Sequence, residues 1–333
     1  MTEGQPETYV FETVPEHEID HVAAQIRQEP HLLNEEKVIA RYRAAGLDTD
    51  PDPFSDSIVD RLLQALSGRR PYSVIRIGDG EVGLLALGQE PETPTLDRFA
   101  AERTIMNCPD RFRVNEPGFQ RLKADMAAAV DAADAVGVVG MWRAAPMAEA
   151  PFAESLATDV YTDIRGRAGH WRSVRLLLAM AEAGRLEGKF ICSAHNYLHL
   201  VRKVGALVSA ASGTICITNQ PAAVASLRER FPKQRIDLME LNRTRQPAGA
   251  LPDEPGFLHE LEARLPDDLS GRLVLIGAGI WAETYCTWAK QRGAVAVDLG
   301  SGFDLLGGRL TRKMHRKFLE TRGLTLEDIL TGR

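Results

Sequence analysis

From Tyr72 onward, short apolar runs alternate with longer amphipathic ones. The runs at 73–77, 135–140, 189–192, 214–218, 235–239, 273–276 and 294–299 are too short for ordinary helices. They have the near-continuous apolar character of strands covered on both faces. Between them, apolar positions recur at helical spacing over 81–87, 96–107, 118–133, 171–183, 197–204, 222–231, 257–264, 280–292 and 309–321. This alternation predicts an α/β fold, a Rossmann-like, mostly parallel sheet with helices on both faces. Ahead of it, residues 1–18 are polar, and 19–47 read as two helices broken near Pro30. Pro51-Asp52-Pro53 then interrupts the chain before Ser55, which is placed to cap a helix ending near Ser67. The expected organisation is a polar N-terminus with a helical extension over 1–66, a main domain over 67–308 and C-terminal helices over 309–333. Two long irregular stretches, 144–169 and 240–256, read as binding or lid loops.

The first strand of the main domain runs into Arg76-Ile77-Gly78-Asp79-Gly80-Glu81. In open α/β sheets, ligand groups gather at the carboxyl ends of the strands, so Arg76, Asp79 and Glu81 fall at an active-site edge. Gly78 and Gly80 allow a sharp turn and a close approach by a ligand. Asp79 and Glu81 are hard oxygen donors suited to Mg²⁺ or Mn²⁺, which proteins often hold with one or two carboxylates plus substrate phosphates. The competing structural reading is an Asp-Gly turn followed by a first-turn Glu favoured by the helix dipole.

Composition narrows the function classes. Across 333 residues the formal net charge is −6 and hydrophobic residues make up 44%, as in an ordinary globular protein. No global positive field favours nucleic acid or an anionic membrane. The basic stretches at 309–317 and 165–175 read either as solvated helix faces or as contacts for phosphate or an acidic acceptor. Cys108, Cys192, Cys216 and Cys286 have no CxxC spacing, which argues against a zinc site and fits a reducing, cytoplasmic setting. No signal pattern and no run of about 20 apolar residues is present, so no membrane span is expected.

Near the C-terminus, Gly277-Ala278-Gly279-Ile280-Trp281-Ala282 follows an apolar run in the order of a dinucleotide-binding turn, and Asp298 closes the next run. This supports an alternative reading, an NAD(P)-dependent oxidoreductase. Against it, only 35 residues follow Asp298, too few for the further βα units of that fold. The glycines serve either a phosphate or close helix packing. Gly300, Ser301, Gly302 and Asp304 follow at the same edge, where they can line a pocket.

The 73–81 block and the run from Val274 through Asp298 to Gly302 together resemble the GT-D type glycosyltransferases. The resemblance spans most of 70–305 but is residue-specific only at these two ends. Ile77 replaces the usual aromatic, and Gly300-Ser301-Gly302-Phe303-Asp304 stands where a Gly-His-Ile-Asp-like segment is expected. It implies a Rossmann-like domain that binds a nucleotide sugar, UDP-sugar foremost, and passes the sugar to a glycan or other hydroxyl acceptor. It assigns Asp79 and Glu81 to a Mn²⁺ or Mg²⁺ ion and the donor diphosphate, with Arg76 supporting the carboxylates or the phosphate. Gly78, Gly80, Gly277, Gly279, Asp298 and Gly300 become substrate-binding candidates. His195 follows the 189–192 run and is the candidate base; Asn219 is placed for base or ribose. Asn196 reads as a helix cap, while His170 and Trp171 read as a stacking pair or a buried amphipathic one. A non-catalytic nucleotide- or glycan-binding module and a homo-oligomer both stay open.

Overall fold

A computed structural model describes residues 12–107, 116–141, 167–241 and 261–331. Its strands are β1 (Asp48–Asp50), β2 (Tyr72–Ile77), β3 (Ala135–Val138), β4 (Phe190–Ser193), β5 (Thr214–Thr218), β6 (Ile236–Glu240), β7 (Leu273–Gly277) and β8 (Val295–Asp298). They form one sheet in the order β1-β4-β3-β2-β8-β7-β5-β6, and every neighbouring pair is parallel. Side chains divide strictly between the two faces. In β2, Ile75 and Ile77 join one apolar cluster and Val74 the other; in β7, Val274 and Ile276 face Leu273 and Leu275 across the sheet. Helices cover both clusters, which explains why the strands read as continuous apolar runs.

All seven predicted runs contribute strands. The eighth strand, β1, is Asp-Thr-Asp. It pairs only with β4, Asp48 opposite Phe190, so as an edge strand it has no need of an apolar pattern. Ser55 also departs from expectation. Asp56 occupies the cap position of helix Ser57–Ser67, while Ser55 Oγ accepts from Ser57 N–H at 3.1 Å. Cys108, Trp142 and the expected loops over 144–166 and 242–256 lie outside the described residues.

The N-terminal helices Glu16–Gln28 and Glu35–Ala44 pack Val22, Ile26, Val38 and Tyr42 into the same cluster as Ile75 and Ile77. Polar bonds fix that seam. The buried Glu18 carboxylate accepts from Thr95 N–H at 3.2 Å and Leu96 N–H at 2.8 Å, capping helix Pro94–Asn107 from 77 residues away. Trp171 is fully buried and donates Nε1–H to Glu29 O at 3.0 Å, so its role is structural and it is closed to a sugar or base. Arg172 pairs with buried Asp97, and Arg175 pairs with Glu90 at 2.8 Å. Within the 165–175 stretch, these two guanidiniums join helices together.

Glu18→Ala should strand two buried N–H groups at a helix start and cost about 1–3 kcal/mol. Glu18→Gln, which keeps an acceptor, should recover part of that loss; urea unfolding of the two variants measures both.

Candidate active site

Strands β2 and β8 are neighbours at the middle of the sheet, and the chain leaves them toward opposite faces. Helix Asp79–Ala86 follows β2 and buries Val82, Leu84 and Leu85 in one cluster. Helix Gly302–Leu306 follows β8 and buries Phe303, Leu305 and Leu306 in the other. A crevice at the strands' carboxyl ends is the usual ligand position where connections diverge in this way.

Arg76 and Asp298 meet across that crevice. Arg76 Nε donates to Asp298 Oδ2 at 2.8 Å and Nη2 donates to Oδ1 at 3.2 Å, a bidentate pair with Asp298 only 2% exposed. Burial opposes the guanidinium charge, but Asp298 more than offsets it and raises the Arg76 pKa above its ordinary value. Gly300 makes room for this side chain, and Gly137 lies against its stem and against the backbone of Ser193 and Ala194. A Cβ on Gly137, opposite Arg76 in β3, would lie 3.3 Å from Arg76 Cγ, and one on Gly300 would overlap Arg76 Nη2. Gly300 also sits at φ +48°, where glycine is favoured. The Tyr197 ring lies 4.8 Å from the guanidinium.

The two carboxylates after β2 fall in the first turn of the following helix. Gly78 is the cap residue, and its N–H donates to Glu81 Oε2 at 3.0 Å, the half of a capping box that a glycine can make. Gly80 allows helix Pro94–Asn107 to approach: Thr104 Oγ1–H donates to Gly80 O at 3.1 Å, and a Cβ on Gly80 would stand 3.0 Å from Thr104 Cγ2. Burial pushes the Glu81 carboxyl above its usual range despite the backbone bonds and Arg76.

A third acid was not apparent from the sequence. Glu283 lies in the first turn of helix Ala282–Gln291, which packs over β2, β7 and β8. It is 1% exposed, and its Oε2 has no hydrogen-bond partner. Burial, then the charges of Asp298 and Glu81, raise its pKa well above the ordinary carboxylate range. Among the described residues, no group of three His, Cys, Asp or Glu stands close enough to enclose a metal by itself. Two hard-oxygen carboxylates at a crevice mouth, with an unpartnered buried carboxylate oxygen behind them, still fit a divalent ion completed by substrate phosphates.

Residues 54–163 match the family model of the GT-D fold-like domain. That stretch is similar to a GT-D fold-like domain. The match includes β2, Asp79 and Glu81, and β3. The chain is also similar to a solved structure titled "Selenomethionine substituted structure of domain of unknown function 1792", at 13% identity and a TM-score of 0.41, covering 88% of this chain and 87% of that one. No curated protein matches.

Asp298, Gly300 and Glu283 lie beyond the GT-D-like match, yet the sheet brings them to its carboxylates. His195 stands half-buried in the turn after β4, at the same edge with β3 between it and β2. Asn219 follows β5, separated from β2 by β8 and β7, and Gln220 takes the cap position of helix Pro221–Arg230. Asn196 caps nothing with its side chain; its Nδ2 donates to Cys192 Sγ at 3.0 Å. Gly277 serves packing, since a Cβ there would lie 2.5 Å from Phe303 Cδ2. Gly279, at φ +61°, opens a short 3₁₀ turn before helix Ala282–Gln291. Asp304 binds Gln220 and accepts from Arg309 at 3.0 Å and Thr311 at 2.5 Å, so it braces the C-terminal segment. Cys192, Cys216 and Cys286 are buried free thiols, and burial raises the first two to about 12. Thiolate chemistry at neutral pH is therefore disfavoured.

The C-terminal helix Lys313–Arg322 packs behind this edge. His315 is fully buried, its Nε2 is 3.3 Å from Ser301 Oγ, and its ring meets Tyr197 edge-on at 6.1 Å. Burial lowers its pKa to about 4 against the opposing charge of Asp304, with Arg312 adding to the depression. The folded state thus holds His315 neutral while the unfolded chain protonates it near pH 6.5. Its contribution should be intact above that pH and be lost as pH falls toward 4, by about 3 kcal/mol in all. Urea unfolding between pH 7.5 and 4 should show this extra acid sensitivity in the wild type and a flatter difference curve for His315→Gln.

Proposed function

We propose that this protein is a glycosyltransferase that uses a nucleoside diphosphate sugar, UDP-sugar foremost, and a divalent cation to glycosylate a hydroxyl acceptor on a glycan or glycoconjugate. The observation that carries the reading is the placement of Asp79 and Glu81, inside the GT-D-like match, at the crevice between β2 and β8 beside the Arg76–Asp298 pair. A Mn²⁺ or Mg²⁺ ion held by Asp79 and Glu81 would supply Lewis-acid stabilisation for the departing diphosphate.

The chain's own groups supply position and field. Arg76 spends Nε and Nη2 on Asp298, so it acts on the diphosphate chiefly through its fixed positive charge. Gly78 and Gly80 let Glu81 and Thr104 close against the turn and so fix where Asp79 and Glu81 stand. His195, on the same edge, is the group assigned to receive the acceptor hydroxyl's proton if the reaction inverts the anomeric centre.

The oxidoreductase reading loses support here. Gly277 is in contact range of Phe303, and Asp298, its ribose-binding acid, is taken by Arg76. Among the described residues no helix is long and apolar enough to cross a membrane, so an acceptor on a membrane would have to be met at the surface.

Asp79→Asn and Glu81→Gln should each lower Mn²⁺-dependent transfer or hydrolysis of UDP-sugars by about a hundredfold or more while melting near the wild-type temperature. Unchanged turnover in both would remove the proposed metal role. His195→Gln should lower kcat by about a hundredfold and abolish the acid limb of its pH profile, with donor KM little changed. A retained acid limb would assign the proton transfer elsewhere.

A further inference from the structure

The two basic stretches of the chain are used differently. In 165–175, Arg172 and Arg175 are spent on Asp97 and Glu90. In 309–317, Arg309 is spent in the same way on Asp304. The four cations after it are not: among the described residues, the side chains of Arg312, Lys313, Arg316 and Lys317 make no ion pair and no hydrogen bond.

Helix Lys313–Arg322 keeps these four together. It buries His315, Phe318 and Leu319, and half-buried Met314 packs against the same side. Arg312 and Arg316, like Lys313 and Lys317, stand four residues apart, so the cations form neighbouring rows on the other side. Arg312, Lys313 and Arg316 are exposed, Lys317 is half-buried, and Glu320 is the helix's one acid. The arrangement costs helix stability, because like charges repel at this spacing and cations in a first turn without acids oppose the helix dipole. His315, between Met314 and Arg316, stands 3.3 Å from Ser301, three residues beyond Asp298. The basic face therefore lies at the crevice's end of the sheet.

We propose that this face docks the protein on an anionic lipid surface. The apolar side chains of the helix are committed to the core, so the face offers charge with no apolar anchor. Protein interfaces centre on aromatic or apolar anchors and are depleted in Lys. No exposed aromatic ring stands among the cations to stack on bases. Anionic headgroups ask for neither feature, since a cluster of Lys and Arg attracts them by charge alone. In a chain of net charge −6, a basic face also orients the molecule, with the crevice's end of the sheet toward the lipid. Docking does not depend on the transferase reading; where that reading holds, it brings the crevice to acceptors carried on the surface.

Sedimentation of the full chain with vesicles tests this. Wild type should pellet with phosphatidylcholine vesicles that contain phosphatidylglycerol and stay in solution with phosphatidylcholine alone. It should be released in about 1 M salt, where the Debye length falls to about 3 Å. Arg312→Gln, Lys313→Gln, Arg316→Gln and Lys317→Gln combined should lower partitioning by about a hundredfold or more, since each cation near the surface contributes roughly a fivefold factor. Arg316→Gln alone, expected to lower it about fivefold, carries the same test if the combined variant melts early. Equal neutralisation at the exposed Arg27, Lys37, Lys233 and Arg264 should leave most of the binding. Arg312→Lys with Arg316→Lys should bind as wild type does, because charge is read and not the guanidinium fork.

A wild-type chain that ignores both vesicles, or binds both alike, would overturn the proposal. Equal losses in the two four-site variants would do the same, by making net charge the cause. Capture by inorganic polyphosphate or duplex RNA without retention on anionic vesicles would also overturn it and assign the face to a soluble polyanion. Turnover of UDP-sugars with a soluble acceptor, measured separately, keeps the transferase reading distinct from each of these results.

Discussion

The bidentate bond between Arg76 and Asp298 ties the sheet's central strand β2 to β8, the last strand of the chain. It joins residues 222 positions apart and sets the position of the groups around it. Gly300 is small because this guanidinium passes it, Gly137 admits the backbone of Ser193 and Ala194 beside the Arg76 stem, and Tyr197, at the start of helix Tyr197–Arg202, lies over the guanidinium. Removing either partner would leave an uncompensated charge in a buried place, which is far more costly than the net value of the pair. The pair therefore constrains the site more than it contributes to stability.

Much of the fold was legible because a strand buried on both faces must be apolar throughout. Seven strands announced themselves in this way, as did the helices between them. β1 did not, because Asp48-Thr49-Asp50 stands at an edge where only its backbone is needed. Two N-terminal helices were visible by their apolar spacing, but their attachment was not. Glu18, Glu29 and Trp171 make that seam through long-range polar bonds that leave no local pattern.

The candidate site was legible only on its exposed, glycine-bordered side. Asp79 and Glu81 stand out because two glycines flank a strand end. Glu283 does not, because an acid in the first turn of a helix is what the macrodipole favours anyway. Its burial beside Asp298 depends on which strands the helix crosses, and no periodicity encodes that. The glycine turn at 277–279 was ambiguous in the sequence for a related reason. Close packing and phosphate binding both ask for a missing side chain, and only the Phe303 ring beside Gly277 shows which demand is met there.

The distribution of charge links stability to function. Exposed ion pairs on this protein, such as Arg61 with Asp48, can be lost at little cost because water replaces them. The crevice acids have no such recourse: burial raises the pKa of both Glu81 and Glu283, and the charge of Asp298 adds to it in each. Glu81 meets part of that cost by accepting from Gly78 N–H, whereas one carboxylate oxygen of Glu283 has no partner. Burial without a partner favours the neutral acid, and the carboxyl of Glu283 is accordingly shifted further than that of Glu81.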